Sequence, residues 1–71
     1  MNDYFEVKGL IPPTVLRIYN NKGEVVYSSD NYENNWDGRD RNGKLLNEGT
    51  YYYLITIPHS GEYKGWVYLK R

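Results

Sequence analysis

Short runs of tyrosine and β-branched residues, each bounded by glycine or proline, constrain this chain more than any other feature. The longest run covers residues 50–57, where Tyr51, Tyr53 and Ile55 would share one face of a strand. Nine of the 71 residues are tyrosine, and alanine, the best helix former, is absent. Because tyrosine and β-branched side chains favour a pleated, half-buried surface, the sequence predicts one small all-β domain over residues 1–71.

Alternation with a period of two and the turn signals divide the chain into five predicted strands. They cover residues 4–8, 14–19, 25–27, 50–57 and 63–69. Asn-Asn-Lys-Gly at residues 20–23 and Pro-His-Ser-Gly at residues 58–61 each supply the glycine that a tight hairpin needs. Short strands joined in this way are typical of a small antiparallel Ig-like β-sandwich.

The polar segment from residue 28 to residue 48 is too long for a structureless connection in so small a domain. Trp36 is its predicted anchor, because burying a tryptophan removes roughly 150–250 Å² of surface from water. Tyr32 and the Leu45-Leu46 pair are expected to help, and one or two further short strands are expected within the segment. The predicted structural anchors are Trp36, Asp37, Gly38, Gly49 and Tyr51.

The residue types and spacings predict no catalytic or metal-binding site. The chain has no cysteine and a single histidine, His59, which falls in a predicted hairpin turn. Asp37 and Asp40 share a turn, and Asp37 is interpreted as the cap of that turn and not as a general acid. A calcium-loop alignment centred on Gly43 fails because its first and twelfth positions are glycine. We therefore expect neither enzymatic activity nor a cofactor.

Charge and hydropathy argue against two further classes of partner. Nine basic and nine acidic side chains cancel to a formal charge of zero, which argues against a duplex nucleic-acid binder, because such a protein needs a basic footprint. No apolar run approaches the roughly 20 residues of a membrane-spanning helix. Direct membrane insertion is therefore not expected.

The last predicted hairpin carries the best candidates for contact with a partner. Trp66 and Tyr68 alternate with Val67 and Leu69, so they should point outward when those two point into the core. The predicted partner-binding residues are Lys64, Trp66, Tyr68, Lys70 and Arg71. A tyrosine-rich edge strand could also pair weakly with a copy of itself.

An ordered set of motifs runs along nearly the whole chain. In sequence order it is Ile18-Tyr19-Asn20, Gly23, Val26-Tyr27, Tyr32, Asn35-Trp36-Asp37-Gly38, Gly43-Lys44-Leu45, Glu48-Gly49-Thr50-Tyr51-Tyr52-Tyr53 and Lys64-Gly65-Trp66-Val67-Tyr68-Leu69-Lys70-Arg71. This set resembles the gliding motility-associated C-terminal domain, the type B C-terminal sorting domain of the type IX secretion system of Bacteroidota. Asn21-Lys22 replaces the Arg-Trp that is usual in that family. Only Asn2-Asp3 remains of its Pro-Asn-Gly-Asp-Gly lead-in, so we expect the single C-terminal sorting domain to be cut at its upstream boundary.

The resemblance implies a signal domain without catalysis of its own, which directs a larger cargo protein through the type IX system and leads to its attachment at the cell surface. Gliding motility and adhesion are the expected settings. The implied partners are the type IX translocon and an outer-membrane protein of the PorP/SprF type. The implied location is secreted or cell-surface, reached through the periplasm and across the outer membrane.

Two other functions fit the residues. In a carbohydrate-binding module, the exposed rings of Tyr52, Trp66 and Tyr68 would form a strip for stacking on sugars. A structural Ig-like spacer or scaffold would work at any position in a longer chain, whereas a sorting signal would work only at its end.

Overall fold

The computed structural model of the chain describes residues 5, 7 and 9–70. Four strands are present in this part, namely β1 Val15–Tyr19, β2 Val25–Ser29, β3 Gly49–Ile57 and β4 Gly61–Leu69. They form one antiparallel sheet with the order β2-β1-β3-β4. No helix occurs in the described residues, and the predicted all-β class is confirmed. The two-sheet arrangement of a sandwich is compatible with this sheet and stays a prediction.

The predicted hairpins and strand faces are confirmed with small shifts of their bounds. The glycine-containing turns join β1 to β2 and β3 to β4, as the sequence indicated. Strand β3 begins at Gly49 and β4 at Gly61, earlier than the alternation indicated. His59 adopts a positive φ of 62° in the second turn, where the amide of Ser60 donates to the carbonyl of Ile57 (3.0 Å).

Two expected stretches of strand contain isolated bridges in the described residues. Within the predicted first strand Phe5 bridges Trp36, and residues 4, 6 and 8 lie outside the described part. Within the long connection the expected extra strands are a single isolated bridge, between Arg39 and Leu45. Glycine and asparagine interrupt this segment every few residues, so no run is long enough to sustain a ladder.

The inner face of the sheet is the face that carries the core residues. Leu16 and Ile18 of β1 are fully buried there, as is Leu69 of β4, while Tyr51 and Ile55 of β3 are nearly so. The register places Leu16 opposite Ile55 and Ile18 opposite Tyr53. Alternation along each strand therefore directs one set of apolar side chains to one side.

The long connection covers the inner face and is fixed there by two aromatic residues. Tyr32 and Trp36 are 0% and 1% exposed. The Tyr32 hydroxyl donates to the carbonyl of Phe5 and accepts from the amide of Trp36 (3.0 Å). The indole Nε1–H of Trp36 donates to the carbonyl of Arg39 (2.8 Å). These bonds satisfy backbone groups of an irregular segment that would otherwise be buried without partners.

The expectation that Leu45 helps to anchor this segment is wrong. Leu46 packs against the core, but Leu45 is 52% exposed. The bridge between Leu45 and Arg39 gives this short piece an extended geometry, in which neighbouring side chains point to opposite sides. Only one leucine of the pair can therefore face the core.

Two five-residue loops share the same hydrogen-bond geometry. In the loop of residues 20–24, Oδ1 of Asn20 accepts from the amides of Lys22 and Glu24, both at 2.9 Å. In the loop of residues 40–44, Oδ1 of Asp40 accepts from the amides two and four residues later, again at 2.9 Å. Asp40 is therefore the capping carboxylate of its turn, and the cap assigned to Asp37 is wrong.

Candidate recognition surface

The outer face of the sheet, opposite the core, carries a row of three aromatic side chains. Tyr19 of β1 lies directly opposite Tyr52 of β3, and Tyr52 lies directly opposite Trp66 of β4. Directly opposed residues have Cβ atoms roughly 4.5–5.5 Å apart, so neighbouring rings are within reach of one another. The pairing register thus assembles on three strands an aromatic row that no single segment shows.

Exposure of the row increases toward the edge strand β4. Tyr52 is 47% exposed and Trp66 is 66% exposed. Tyr68, on the same face of β4, is 50% exposed. So large an exposed aromatic fraction is uncommon outside contact surfaces, and it singles out the outer face near β4 as the candidate recognition surface.

Basic side chains lie beside the aromatic row. Arg17, Leu54 and Lys64 are directly opposite one another across β1, β3 and β4. A shallow cavity of about 350 Å³ joins this second row to the aromatic one. Its lining residues are Tyr19, Tyr52, Tyr53, Leu54, Lys64 and Gly65. A partner that contacts this face therefore meets aromatic rings and at least one exposed ammonium group together.

Tyr68 is linked to the end of the long connection. Its hydroxyl donates to the Oε2 atom of Glu48 (3.0 Å). This hydrogen bond and the carboxylate charge raise the pKa of the Tyr68 phenol. The bond holds the ring of an exposed side chain in a defined orientation at the end of β4.

The structure brings together three of the five residues predicted for partner contact. Lys64, Trp66 and Tyr68 alternate along β4 and share the outer face. Lys70 is exposed one residue beyond the strand, and Arg71 lies outside the described residues. The sequence reasoning missed Tyr19, whose place in the row follows only from the register of β1 against β3, two strands that no hairpin joins.

The five predicted structural anchors lie around the connection and the start of β3. Trp36 is buried, and Asp37 next to it forms an exposed ion pair with Arg39 at 3.3 Å. Gly38 is buried with a φ of 91°, and its carbonyl accepts from the amide of Leu46 (2.9 Å). The remaining two residues, Gly49 and Tyr51, belong to β3, and the Tyr51 hydroxyl donates to the carbonyl of Asn47 (2.8 Å).

The described residues contain neither a metal-binding cluster nor a membrane-spanning helix. No group of three or more histidine, aspartate or glutamate side chains in residues 5, 7 and 9–70 is placed to hold a metal ion. No helix in the same part of the chain is long and apolar enough to cross a membrane.

Comparison with known proteins agrees with a recognition role for this β domain. The family of the CHU_C type IX secretion signal domain matches residues 1–69. No significant match is found among curated proteins or among solved structures. An all-β domain whose outer face carries exposed aromatic and basic groups fits the class of folded signals that other proteins bind. The match covers nearly the whole chain, and the protein belongs to the CHU_C type IX secretion signal domain family.

The family establishes what the domain does at a coarse level. The chain is a type IX secretion signal, it interacts with the type IX secretion machinery, and it leads to export to the cell surface or to secretion. The resemblance stated from the motifs is thereby confirmed.

Proposed function

We propose that the type IX machinery recognises the outer face of the last hairpin, through Lys64, Trp66, Tyr68, Lys70 and Arg71. The observation that carries this proposal is the exposure of Trp66, which at 66% exceeds that of every other large apolar side chain in the described residues. Exposed tryptophan and tyrosine are typical of the residues that contribute most to protein–protein binding. The hydrogen bond from Tyr68 to Glu48 supports the proposal by ordering one of these rings before binding.

The finer features of the pathway belong to the same proposal. The cargo passes through the periplasm and across the outer membrane, and the domain then attaches it to the cell surface in gliding motility or adhesion. The outer-membrane partner is a protein of the PorP/SprF type. The domain itself has no catalytic activity. The sequence motifs that resemble type B sorting domains support these features.

The proposal is tested by export of a reporter. Residues 1–71 are fused to the C-terminus of a periplasmic reporter in a host that has type IX secretion. Trp66→Ser with Tyr68→Ser, and separately removal of Lys70 and Arg71, should trap the reporter in the periplasm. Leu45→Ser is the matched control, because Leu45 is also about half exposed but lies outside the proposed surface.

Normal export of both the Trp66→Ser/Tyr68→Ser fusion and the fusion without Lys70 and Arg71 would overturn the proposed recognition surface. Export must be scored only for fusions that fold, which the near-ultraviolet circular dichroism of each isolated variant reports. A fusion that folds, is retained and is matched by an exported Leu45→Ser control supports the mapping.

One observation favours a second candidate function. The row of Tyr19, Tyr52 and Trp66 places three aromatic rings side by side on the outer face of the sheet, as a carbohydrate-binding module would require. Tryptophan fluorescence distinguishes the candidates, because Trp66 would report a polysaccharide on the row while Trp36 is buried. Fluorescence that does not change with a panel of polysaccharides rejects this candidate and leaves the sorting function untouched.

A further inference from the structure

The two edges of the sheet differ in how they are covered. Strand β2 forms one edge; it has five residues and a register irregularity opposite Ile18 and Tyr19. Its Val26 carbonyl accepts from the amide of Arg41 in the long connection (3.1 Å). Short length, a bulge and a covering loop are the devices that keep an edge strand from pairing with another chain.

Strand β4 forms the other edge, and within residues 5, 7 and 9–70 it shows none of these devices. It has nine residues, pairs with β3 without a break from Gly61 to Leu69, and contains no proline. Within the described residues its second edge faces no strand. Six of its nine residues are exposed. A long, regular edge of this kind is a template for a further antiparallel strand.

The sequence of β4 is complementary to itself. Gly65 is the middle residue of the nine, so a two-fold axis at Gly65 pairs the whole strand with its copy. That register places Lys64 opposite Trp66 of the second copy, and Glu62 opposite its Tyr68. On the inner face it places Tyr63 opposite Val67. Two of these are favourable cross-strand combinations, namely an ammonium group on an indole ring and an aromatic with a β-branched side chain. The Glu62–Tyr68 pair adds no hydrogen bond, because the Tyr68 hydroxyl already donates to Glu48.

The charges on this edge do not oppose the pairing. An edge lysine ordinarily prevents pairing because it meets another charge or loses its hydration. Here neither Glu62 nor Lys64 lies directly opposite a charge of its own sign, and the axis itself passes through glycine. We propose that two copies of this chain associate through β4 into a continuous eight-stranded antiparallel sheet with Gly65 on the two-fold axis.

The association is weak, because joining two edges buries little surface beyond the strands themselves, well below the roughly 1,200–2,000 Å² of a stable interface. It matters when the domain is concentrated, as on a crowded surface. This inference does not depend on the proposed recognition surface, since a single copy can be exported whether or not two copies pair.

Sedimentation velocity of the 71-residue chain over a wide concentration range tests the pairing. The weight-average mass should double between the micromolar and the millimolar range. Trp66→Lys places a lysine opposite Lys64 twice in the dimer and should keep the chain monomeric. The double variant Lys64→Glu with Trp66→Lys replaces each repulsion with an ion pair and should restore the dimer. Tyr52→Lys alters the same face outside the seam and should leave the dimer intact.

Disulfide cross-linking tests the register, since the natural chain has no cysteine. An equal mixture of Lys64→Cys and Trp66→Cys chains should give mixed disulfide dimers well in excess of the half expected from random pairing. A chain that stays monomeric at millimolar concentration overturns the proposal, and so does a dimer that survives Trp66→Lys or cross-links mainly as like pairs. A chain that is exported normally and never dimerises refutes this pairing alone.

Discussion

The ring of Tyr53 on β3 lies over Gly65 on β4, in the space that a Cβ atom at residue 65 would occupy. The two residues are directly opposite one another in the sheet. Phe5 also packs against the Tyr53 ring, with 5.2 Å between the ring centroids. The glycine that weakens a strand elsewhere is here covered by an aromatic neighbour, an arrangement that also pins the strand register.

Gly65→Ala should therefore destabilise the fold. The new methyl group meets the Tyr53 ring, which cannot move away freely because Phe5 packs against it. We expect a loss of about 1–3 kcal/mol in the free energy of unfolding, which is typical of overpacking. Urea denaturation measures it. In a Tyr53→Leu background the same substitution should cost less, and an equal cost in both backgrounds would contradict the proposed contact.

Trp36 and Trp66 form a matched pair for a stability comparison. Trp36 is 1% exposed and donates its Nε1–H to the carbonyl of Arg39, whereas Trp66 is 66% exposed. Trp36→Phe removes that hydrogen bond and leaves a gap in the core, so we expect a loss of about 2 kcal/mol. Trp66→Phe should change stability by about 0.5 kcal/mol or less. Equal effects in chemical denaturation would show that the long connection is not anchored by its indole.

The sequence predicts the parts of this structure in which apolar and polar residues alternate regularly, and it predicts the irregular parts less well. The hairpins and the faces of β1, β3 and β4 follow from alternation and from glycine at the turns, because both are local signals. The aromatic row did not follow, since Tyr19 and Tyr52 are distant in sequence and meet only through the register of two strands. Leu45 was misplaced because an isolated bridge gives no periodic signal.

The sequence predicts that a buried aromatic residue anchors the long connection, but it does not predict the hydrogen bonds that fix it. Burial of Trp36 follows from its size, because a small domain needs large apolar side chains to form a core. The hydrogen bonds of the Tyr32 hydroxyl do not follow, since Phe5 and Trp36 reach it through tertiary packing. Asp37 and Asp40 look alike in sequence, and only loop geometry distinguishes the exposed ion pair from the backbone cap.

Tyr32 should make the stability fall at alkaline pH. Burial raises the pKa of its phenol from the ordinary value of 10.0 to about 12. Stability from the neutral phenol is thus fully present below pH 10 and is lost as the pH rises from 10 to about 12, by roughly 2–3 kcal/mol. Burial and the Asp37 carboxylate also raise the pKa of Tyr27, so its contribution has the same sign.

Ultraviolet titration of the phenols combined with denaturation at each pH measures this effect. The contribution of Tyr32 to the late absorbance step of the folded protein should be missing in Tyr32→Phe, while Tyr27 and Tyr68, whose pKa values are also raised, still titrate late. That variant should lose about 1–3 kcal/mol at neutral pH, because the Phe5 carbonyl and the Trp36 amide lose their partner. Its remaining stability should then depend less on pH above 10. An unchanged late step would assign it to another tyrosine.

The two matching loops predict that the Oδ1 atom at residues 20 and 40 is what stabilises each turn, whatever the charge. Asp40→Ala leaves the amides of Asn42 and Lys44 without their acceptor and should cost about 1–2 kcal/mol. Asp40→Asn keeps an Oδ1 acceptor, as Asn20 does in its own loop, and should cost about 0.5 kcal/mol or less.

Asp37→Ala is the matched control, because it removes a nearby carboxylate whose partner is an exposed arginine at 3.3 Å. Such a pair contributes about 0–1 kcal/mol and weakens as salt is added. The cost of Asp40→Ala should not change with salt, because a backbone cap depends on geometry more than on long-range charge. A loss at Asp40→Asn as large as at Asp40→Ala would mean that the negative charge, and not the shared loop geometry, holds residues 40–44 together.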